Sequence, residues 1–315
     1  MAGLTAARLL KSEGWSVVVL DKSRRVGGRM ATRRIGASRL DHGTQFFTVR
    51  DARFGEAVSQ WASAAWAAPW FTQNGHPHYG ATGGMNTLAG HLAETLDVRS
   101  EAKVETIETA DDQWRVTTSS GEIFRATALL LTPPAPQTAD LLTACADRLP
   151  PEMITILRSI HYAPCFSLLV TLAGPGRVPS PGFVRPEGGP VEWIADNTQK
   201  GVSAGAAALT IHARTEFSRH YLDTANLDTA KDDVARILLE AAEPWFAGPV
   251  EAWQLHRWKY SRPDAAAPLM ARPMYLFSPQ PASLVIAGDG FGGPRLEGAF
   301  LSGRAAARCL VESSR

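Results

Sequence analysis

The hydrophobic pattern of the first twenty residues predicts a helix followed by a strand. Residues 2–12 place Ala6, Leu9 and Leu10 on one helical face, and Gly14 follows as a stop signal. Residues 16–20 form a short, continuous apolar run, which is typical of a buried parallel strand. In an α/β domain such a helix should follow another strand. We therefore expect a parallel sheet whose first strand is missing from this sequence.

Later segments continue the alternation of helical and extended patterns. The patterns predict helices over 51–70, 85–96, 231–242 and 297–312, and strands over 104–109, 114–118, 122–125, 128–132, 166–172, 206–213 and 284–287. Alternating strands and helices indicate an α/β fold. Frequent Pro and Gly between residues 136 and 282 favour a substrate domain with long loops.

Composition and charge exclude several classes of protein. The chain has 315 residues, of which 45% are hydrophobic and 20% charged, and its net charge of +1 gives no global attraction to nucleic acid or anionic lipid. No apolar run reaches the roughly 18–20 residues of a membrane span, and the start lacks a signal-peptide pattern. Cys145, Cys165 and Cys309 are too scattered for a disulfide framework or a zinc site. We expect a cytoplasmic protein without a metal.

The N-terminal helix and strand carry part of a dinucleotide-binding fingerprint. Gly3 suits the third glycine of a G-x-G-x-x-G motif, where the missing side chain lets helix and strand pack closely. Asp21 directly follows the apolar strand, where such motifs place a ribose-binding acid. These two residues alone fit an ordinary helix and strand equally well.

Two further segments have the chemistry of phosphate and cofactor binding. The first combines Asp21 and Lys22 with Gly27-Gly28-Arg29, in which the glycines let a pyrophosphate approach the backbone and the arginine fork neutralises it. The second runs from Gly288-Asp289 into a helix that begins near Glu297-Gly298-Ala299. A helix N-terminus of this kind presents N–H groups and a positive dipole end to an anion.

Taken together, these residues resemble the renalase family, within the wider amine-oxidase-like class of flavoproteins. The resemblance covers essentially the whole chain. Its motifs are Gly27-Gly28-Arg29-Met30, Asp41-His42-Gly43-Thr44-Gln45-Phe46-Phe47-Thr48, Gly84-Met85-Asn86, Ala195-Asp196-Asn197, Ile211-His212, Trp258-Lys259-Tyr260-Ser261 and Gly288-Asp289-Gly290-Phe291. The glycine–arginine segment marks only the broad class, whereas the segments that contain Gln45-Phe46, Asp196-Asn197 and His212 resemble renalase more narrowly.

The resemblance implies a Rossmann-like FAD-binding domain, N-terminally truncated, with an interleaved α+β substrate domain. The FAD-binding domain is expected over 1–50, 97–135 and 283–315, and the substrate domain over 51–96 and 136–282. Expected FAD contacts are Ala2, Gly3, Asp21, Lys22, Gly28, Arg29, Gln45, Phe46, Val104, Thr132, Asp289, Glu297, Gly298 and Ala299.

The implied activity is oxidation of 2- or 6-dihydro isomers of NAD(P)H to β-NAD(P)⁺, with hydride transfer to flavin N5 and reduction of O₂ to H₂O₂. His212 and Asn197 are expected to grip the nicotinamide carboxamide, and Trp193, Trp258 or Tyr260 to form apolar walls. His212 could equally be a structural residue that hydrogen-bonds within a sheet. Tryptophans belong to the hydrophobic core more often than to a binding pocket. Two alternatives remain open: another flavin amine oxidase or desaturase, and a truncated chain that holds no flavin.

Overall fold

A computed structural model describes residues 1–222, 227–264 and 273–314 of the chain. The helices are α1 Ala2–Ser12, α2 Ala52–Ser63, α3 Met85–Ala93, α4 Ala135–Leu141, α5 Pro151–Ser159, α6 Thr215–Leu222, α7 Leu227–Ala242, α8 Asp289–Gly292 and α9 Leu296–Ser313. The strands are β1 Val18–Leu20, β2 Thr32–Ile35, β3 Ser38–Asp41, β4 Ala67–Gln73, β5 His76–Ala81, β6 Asp97–Arg99, β7 Val104–Ala110, β8 Gln113–Thr118, β9 Ile123–Ala126, β10 Ala128–Leu131, β11 Tyr162–Leu172, β12 Phe183–Val184, β13 Val191–Asp196, β14 Ala208–Ala213, β15 Val250–Pro263, β16 Tyr275–Ser278 and β17 Ser283–Ala287.

Helices α1 and α9 pack closely because small residues meet at their interface. A Cβ atom added to Gly303 would collide with the carbonyl oxygen of Ala2, so this glycine sets the distance between the two backbones. Ala6 and Leu10 of α1 share a buried cluster with Ala306 and Leu310 of α9 and with β17. The N-terminal helix predicted from periodicity is thus confirmed, with its apolar face against the last helix of the chain.

Two parallel ladders lie beside the same buried face of α1. Strand β1 pairs with β6, and β10 pairs with β17, which is joined in turn by the antiparallel β16. The facing edges of β1 and β10 form no ladder with another described strand, and both strands line one large cavity. The Rossmann-like arrangement expected from the sequence is present, but its parallel strands form two separate ladders.

A five-stranded antiparallel sheet of order β12-β13-β14-β11-β15 forms the other half of the molecule. One face packs on α7 through a cluster that includes Leu168, Ile211 and Leu238. Since neighbouring residues of a strand point to opposite faces, the alternate residues face the hairpin β2–β3, where Leu169 packs against Leu40. This second face forms the wall of the cavity.

The helix predicted over 51–70 is wrong in its second half. Helix α2 ends at Ser63, Ala65 adopts a left-handed φ of 57°, and residues 67–73 form β4, which pairs with β5. The alanine-rich segment has a helical pattern, but the turn at Asn74-Gly75, with φ values of 52° and 75°, pairs it with the next strand in a hairpin. Helices α2 and α3 share a buried cluster with α1 and α9. The domain boundaries expected from the sequence remain a prediction.

Candidate active site

A cavity of about 2490 Å³ separates the parallel ladders from the five-stranded sheet. Typical small-molecule sites measure roughly 300–1,000 Å³, so this cavity has room for a dinucleotide and a second ligand beside it. The first turn of α1 and the segment Gly27–Arg29 line one end, and β13, β14 and β15 line the other.

At the first end, Arg29 and Asp289 form a two-fold ion pair. The guanidinium of Arg29 donates to both carboxylate oxygens of Asp289, at 2.6 and 2.7 Å, and to the carbonyl oxygen of Ser261 at 3.1 Å. Gly27 and Gly28 precede the arginine with φ values of 121° and 54°, a conformation that favours glycine. The predicted basic turn and the predicted Gly-Asp turn therefore meet at one place in the cavity.

The residues of this end fit FAD. Gln45 donates from Nε2 to the carbonyl oxygens of Asp41 and Gly43, whereas its buried Oε1 has no partner and is available to a bound donor. The N-terminus of α1 lines the cavity and presents N–H groups that lack a helical partner. A Cβ at Gly3 would lie 3.0 Å from the Thr132 hydroxyl, so α1 approaches the end of β10 closely, as the fingerprint predicted.

Most of the predicted cofactor residues line the cavity. Those that do are Ala2, Gly3, Asp21, Lys22, Gly28, Arg29, Gln45, Phe46, Val104, Thr132, Asp289 and Ala299. Their contact with FAD stays a prediction, but the structure brings them to one continuous surface.

Glu297 and Gly298 lie outside that surface, and their predicted contact with FAD stays a prediction. The Glu297 carboxylate accepts hydrogen bonds from the backbone N–H groups of Arg50 and Asp51, at 2.7 and 2.8 Å, and fixes the start of α2 to the start of α9. A Cβ on Gly298 would collide with the backbone of Gly292. Both residues secure the turn that presents Asp289, rather than the cofactor surface itself.

At the second end, four side chains form a row across the sheet. The strand register pairs Trp193 with His212, His212 with Ser167, and Ser167 with His256. Residues paired in an antiparallel ladder point to the same face. Trp193, His212 and His256 line the cavity, and the fully buried Ser167 hydroxyl between the two histidines has no hydrogen-bond partner.

The protonation of His212 follows from its contacts. Its Nε2 lies 3.2 Å from the carbonyl oxygen of His42, so Nε2 carries the proton and Nδ1 is the ring's acceptor. Burial lowers the pKa of His212 to about 4, which keeps the ring neutral at physiological pH. The predicted ligand contact of His212 is thus restricted to accepting a hydrogen bond through Nδ1.

His42 and Trp258 form a stacked pair above this row. Their ring centroids are 5.1 Å apart with an interplanar angle of 19°, and Trp258 donates from Nε1 to the His42 carbonyl oxygen at 2.8 Å. His256 meets both rings edge-on. Burial, followed by the charges of His256, Arg33 and His212, lowers the pKa of His42 to about 2. The predicted walls Trp193, Trp258 and Tyr260 all line the cavity.

Asn197, predicted to hold the substrate, is instead part of a buried junction outside the cavity lining. Its amide donates to the Ala208 carbonyl oxygen at 3.0 Å and the Thr210 hydroxyl at 2.9 Å, and its oxygen accepts from the Asp41 N–H at 3.0 Å. Since protein groups satisfy the side chain and it is fully buried, it has no group to offer a ligand. A contact of Asn197 with the substrate stays a prediction, and in this structure its side chain binds the protein itself.

Asp41 is the centre of this junction. Its carboxylate accepts hydrogen bonds from the Thr32 hydroxyl at 2.5 Å, the Met85 N–H at 2.8 Å and the Lys200 ammonium at 2.7 Å. The side chains of Asp41 and Lys200 are 0% and 1% exposed. The pair joins the hairpin β2–β3 and the start of α3 to the loop after β13.

Sequence reasoning missed His42, His256 and Arg33 as site residues. The alternation His256, Trp258, Tyr260 was a usable signal, because every second residue of a strand shares a face. Arg33 had no such signal, since its contact with His256 spans 223 positions. Cys165 also lines the cavity, and burial raises the pKa of its thiol to about 12.

None of the described helices combines the length and apolar content needed to cross a membrane. Within residues 1–222, 227–264 and 273–314, no three His, Cys, Asp or Glu side chains are placed to hold a metal ion.

Comparisons with known proteins agree with this geometry. The family model described as flavin containing amine oxidoreductase matches residues 54–311, and that of an NAD(P)-binding Rossmann-like domain matches residues 1–61. A triple mutant of putrescine oxidase superposes with a TM-score of 0.68 at 13% identity, covering 99% of this chain and 96% of its own. A protein from Exiguobacterium sp. 255-15, provisionally named protoporphyrinogen oxidase, gives a TM-score of 0.66 at 12% identity, covering 98% and 96%. A protein from Pyrococcus furiosus gives 0.59 at 14% identity, covering 99% and 95%. At these identities the structures show the shared fold.

Proposed function

The chain belongs to the family of flavin-containing amine oxidoreductases and uses FAD, and from that premise we propose that it oxidises misplaced dihydronicotinamide isomers. The substrates are 2- or 6-dihydro forms of NAD(P)H, and the products are β-NAD(P)⁺ and, from O₂, H₂O₂. FAD, when bound, supplies the hydride acceptor and passes the electrons to oxygen. The chain's own residues bind and orient the substrate.

The charge of the cavity lining carries this proposal. At the sheet end, five lining residues are Lys or Arg and one, Glu192, is a carboxylate. Arg33, Arg185, Arg257 and Lys259 at the sheet end form no ion pair with a described carboxylate, while Arg262 pairs with Glu192 at 3.4 Å. A surplus of cations attracts an anionic dinucleotide and repels an amine cation. The lining therefore favours a dihydronicotinamide dinucleotide as the substrate. An amine, the other candidate substrate that the family suggests, fits this charge less well.

The uncharged groups of the row suit the nicotinamide itself. The dihydropyridine ring is neutral and flat, and Trp258, which stacks on His42 at one face, provides an aromatic wall of the cavity near His212. Trp193 packs between Phe183 and the Arg185 guanidinium and forms the end of the row. Nδ1 of His212 is an acceptor, and the carboxamide NH₂ group is a matching donor. His212 thus fixes the orientation of the ring, which determines the approach of the donor carbon.

Oxygen uptake with matched substrates tests the function. We expect 6-dihydroNAD to be consumed with equal amounts of O₂, and β-NAD⁺ and H₂O₂ to form in equal amounts. Putrescine and benzylamine at the same concentration should give no uptake above the background. Turnover of the amines without turnover of the dihydronicotinamide would contradict the proposal.

A variant of His212 tests the proposed orientation. His212→Ala should slow anaerobic flavin reduction by 6-dihydroNAD but leave reoxidation by oxygen unchanged, because only the first step requires a placed donor. Stopped-flow absorbance separates the two steps. His91→Ala, which removes a surface histidine paired with Glu94, is the control. If His212 were only structural, its loss would lower flavin content and melting temperature together, with an unchanged reduction rate per bound flavin.

A further inference from the structure

Arg33 is a half-buried cation whose surroundings lack a balancing anion. It lies in β2 opposite Leu40, so its side chain is on the face of the hairpin that packs against the five-stranded sheet. The guanidinium has five N–H donors, and the hydrogen bond that the described residues give it runs from Nη2 to Nδ1 of His256, at 3.1 Å. None of the described carboxylates forms an ion pair with it. A partly buried charge in this state is costly unless an anion joins it.

A second cation lies beside the same histidine. Arg257 follows His256 in β15, is exposed at the mouth of the cavity and also lines it. Burial, followed by the charges of Arg33 and Arg257, lowers the pKa of His256 to about 4, so the ring is neutral and accepts the Arg33 hydrogen bond through Nδ1. Arg33 contacts the neutral ring directly, whereas Arg257 pairs with Phe166 on the other face of the sheet and lines the cavity from the edge strand β15. The two cations together make this end of the cavity positive.

The distance from this positive end of the cavity to His212 matches the shape of a nucleotide. His212 lies in β14 and His256 in β15, with β11 between them. Two steps of about 4.8 Å between strands put them roughly 10 Å apart. His42 and Trp258 cover the row between the two histidines, so a nicotinamide held at His212 would extend its ribose and 5′-phosphate past this stacked pair toward Arg33.

We propose that Arg33, assisted by Arg257, binds a phosphate of the dinucleotide substrate. This inference rests on the proposed function, and it adds the part of the substrate that the enzyme recognises. The arginine fork matches two phosphate oxygens. Arg33 would exchange its one hydrogen bond to a neutral ring for charge-assisted hydrogen bonds to an anion. The phosphate would then lie at the end of the substrate site opposite Trp193.

Substrates with and without phosphate test the assignment. Anaerobic and steady-state kinetics are measured with 6-dihydroNAD and with the corresponding dihydronicotinamide riboside, which has the same ring and ribose but no phosphate. In Arg33→Gln we expect KM for 6-dihydroNAD to rise roughly 10- to 100-fold, the loss of a charge-assisted contact. KM for the riboside should stay unchanged. Arg33→Lys, which keeps the charge, should recover part of the loss.

Arg308→Gln is the matched control, because Arg308 carries the same charge at an exposed position of α9 and lies outside the cavity lining. It should leave both KM values unchanged. Arg257→Gln changes an exposed residue and should give a smaller loss with 6-dihydroNAD only. This variant keeps the test decisive if Arg33→Gln fails to fold.

Three results would overturn the inference. Equal losses with both substrates would show that Arg33 is a structural clamp for His256. A larger dissociation constant for FAD in Arg33→Gln, with unchanged KM values for the FAD-loaded enzyme, would show that Arg33 binds a phosphate of the cofactor and not of the substrate. If neither dihydronicotinamide reduces the flavin of the parent enzyme, the proposed function fails, and the inference fails with it.

Discussion

The buried pair of Lys200 and Asp41 allows a quantitative prediction about how the two halves of the molecule hold together. Lys200→Met removes the ammonium but preserves most of the side-chain volume. Asp41 would keep its hydrogen bonds from Thr32 and Met85, at 2.5 and 2.8 Å, and would lose its counter-charge at 2.7 Å. The Lys200 ammonium also lies 5.0 Å from the centre of the Trp70 ring, and that contact is lost too.

The expected cost follows from burial. Because the two side chains are 1% and 0% exposed, the remaining carboxylate has no access to water. Removing one partner of a buried pair costs about 3–5 kcal/mol, since an uncompensated charge remains. For a chain of this size, that corresponds to a fall in melting temperature of roughly 5–10 °C. The double variant Lys200→Met/Asp41→Asn removes both charges and should be more stable than Lys200→Met alone.

Urea unfolding of the FAD-saturated protein at one protein concentration measures these free energies. Arg236→Met is the control, because its ion pairs with Asp233 and Glu240 are on the surface and its loss should cost less than about 1 kcal/mol. A Lys200→Met protein as stable as the Arg236→Met protein would refute the reasoning. So would a double variant whose loss equals the sum of the two single losses.

Three further predictions concern the cofactor and pH. Arg29→Ala should weaken FAD binding roughly 10- to 100-fold by fluorescence titration, whereas Arg24→Ala in the same exposed turn should not; equal affinities would assign Arg29 to Asp289 alone. Acid precipitation should release all flavin into the supernatant, because burial raises the pKa of the cavity-lining Cys165 to about 12 and suppresses its thiolate; colour in the pellet would contradict this. The histidines His42, His212 and His256 have folded pKa values of about 2, 4 and 4, below the unfolded value of about 6.5. The unfolded chain therefore binds more protons below pH 6.5, and stability should fall as the pH is lowered from about 6.5 to 4. His212→Gln should flatten this dependence in thermal melts, and an unchanged slope would show that the ring is not buried.

The sequence predicted the features that depend on local pattern. Helix α1 and the strand–turn–helix from β17 to α9 follow from periodicity and glycine placement within one short segment, and the structure confirms them. The contact between Arg29 and Asp289 was not predicted, because 260 positions separate the two residues and the sequence assigned Arg29 to a pyrophosphate.

Features that depend on distant pairing were beyond sequence reasoning. Asn197 had the right chemistry for a pocket amide, but its partners Asp41 and Thr210 belong to other strands and occupy all of its hydrogen-bonding groups. By contrast, the helix expected over residues 67–70 was an error that the sequence could have prevented, because the Asn74-Gly75 turn between β4 and β5 is a local hairpin signal. Arg33 and His256 could be identified as site residues only from the structure, in which the hairpin β2–β3 brings Arg33 into contact with His256 of β15.

An anaerobic titration tests the central claim most directly. The FAD-loaded enzyme is mixed, without oxygen, with increasing 6-dihydroNAD, and flavin absorbance and β-NAD⁺ are measured together. We predict that the flavin is fully bleached at one equivalent and that one β-NAD⁺ is released per flavin, whereas putrescine leaves the spectrum unchanged. A flavin that amines bleach and dihydronicotinamides leave oxidised would contradict the account.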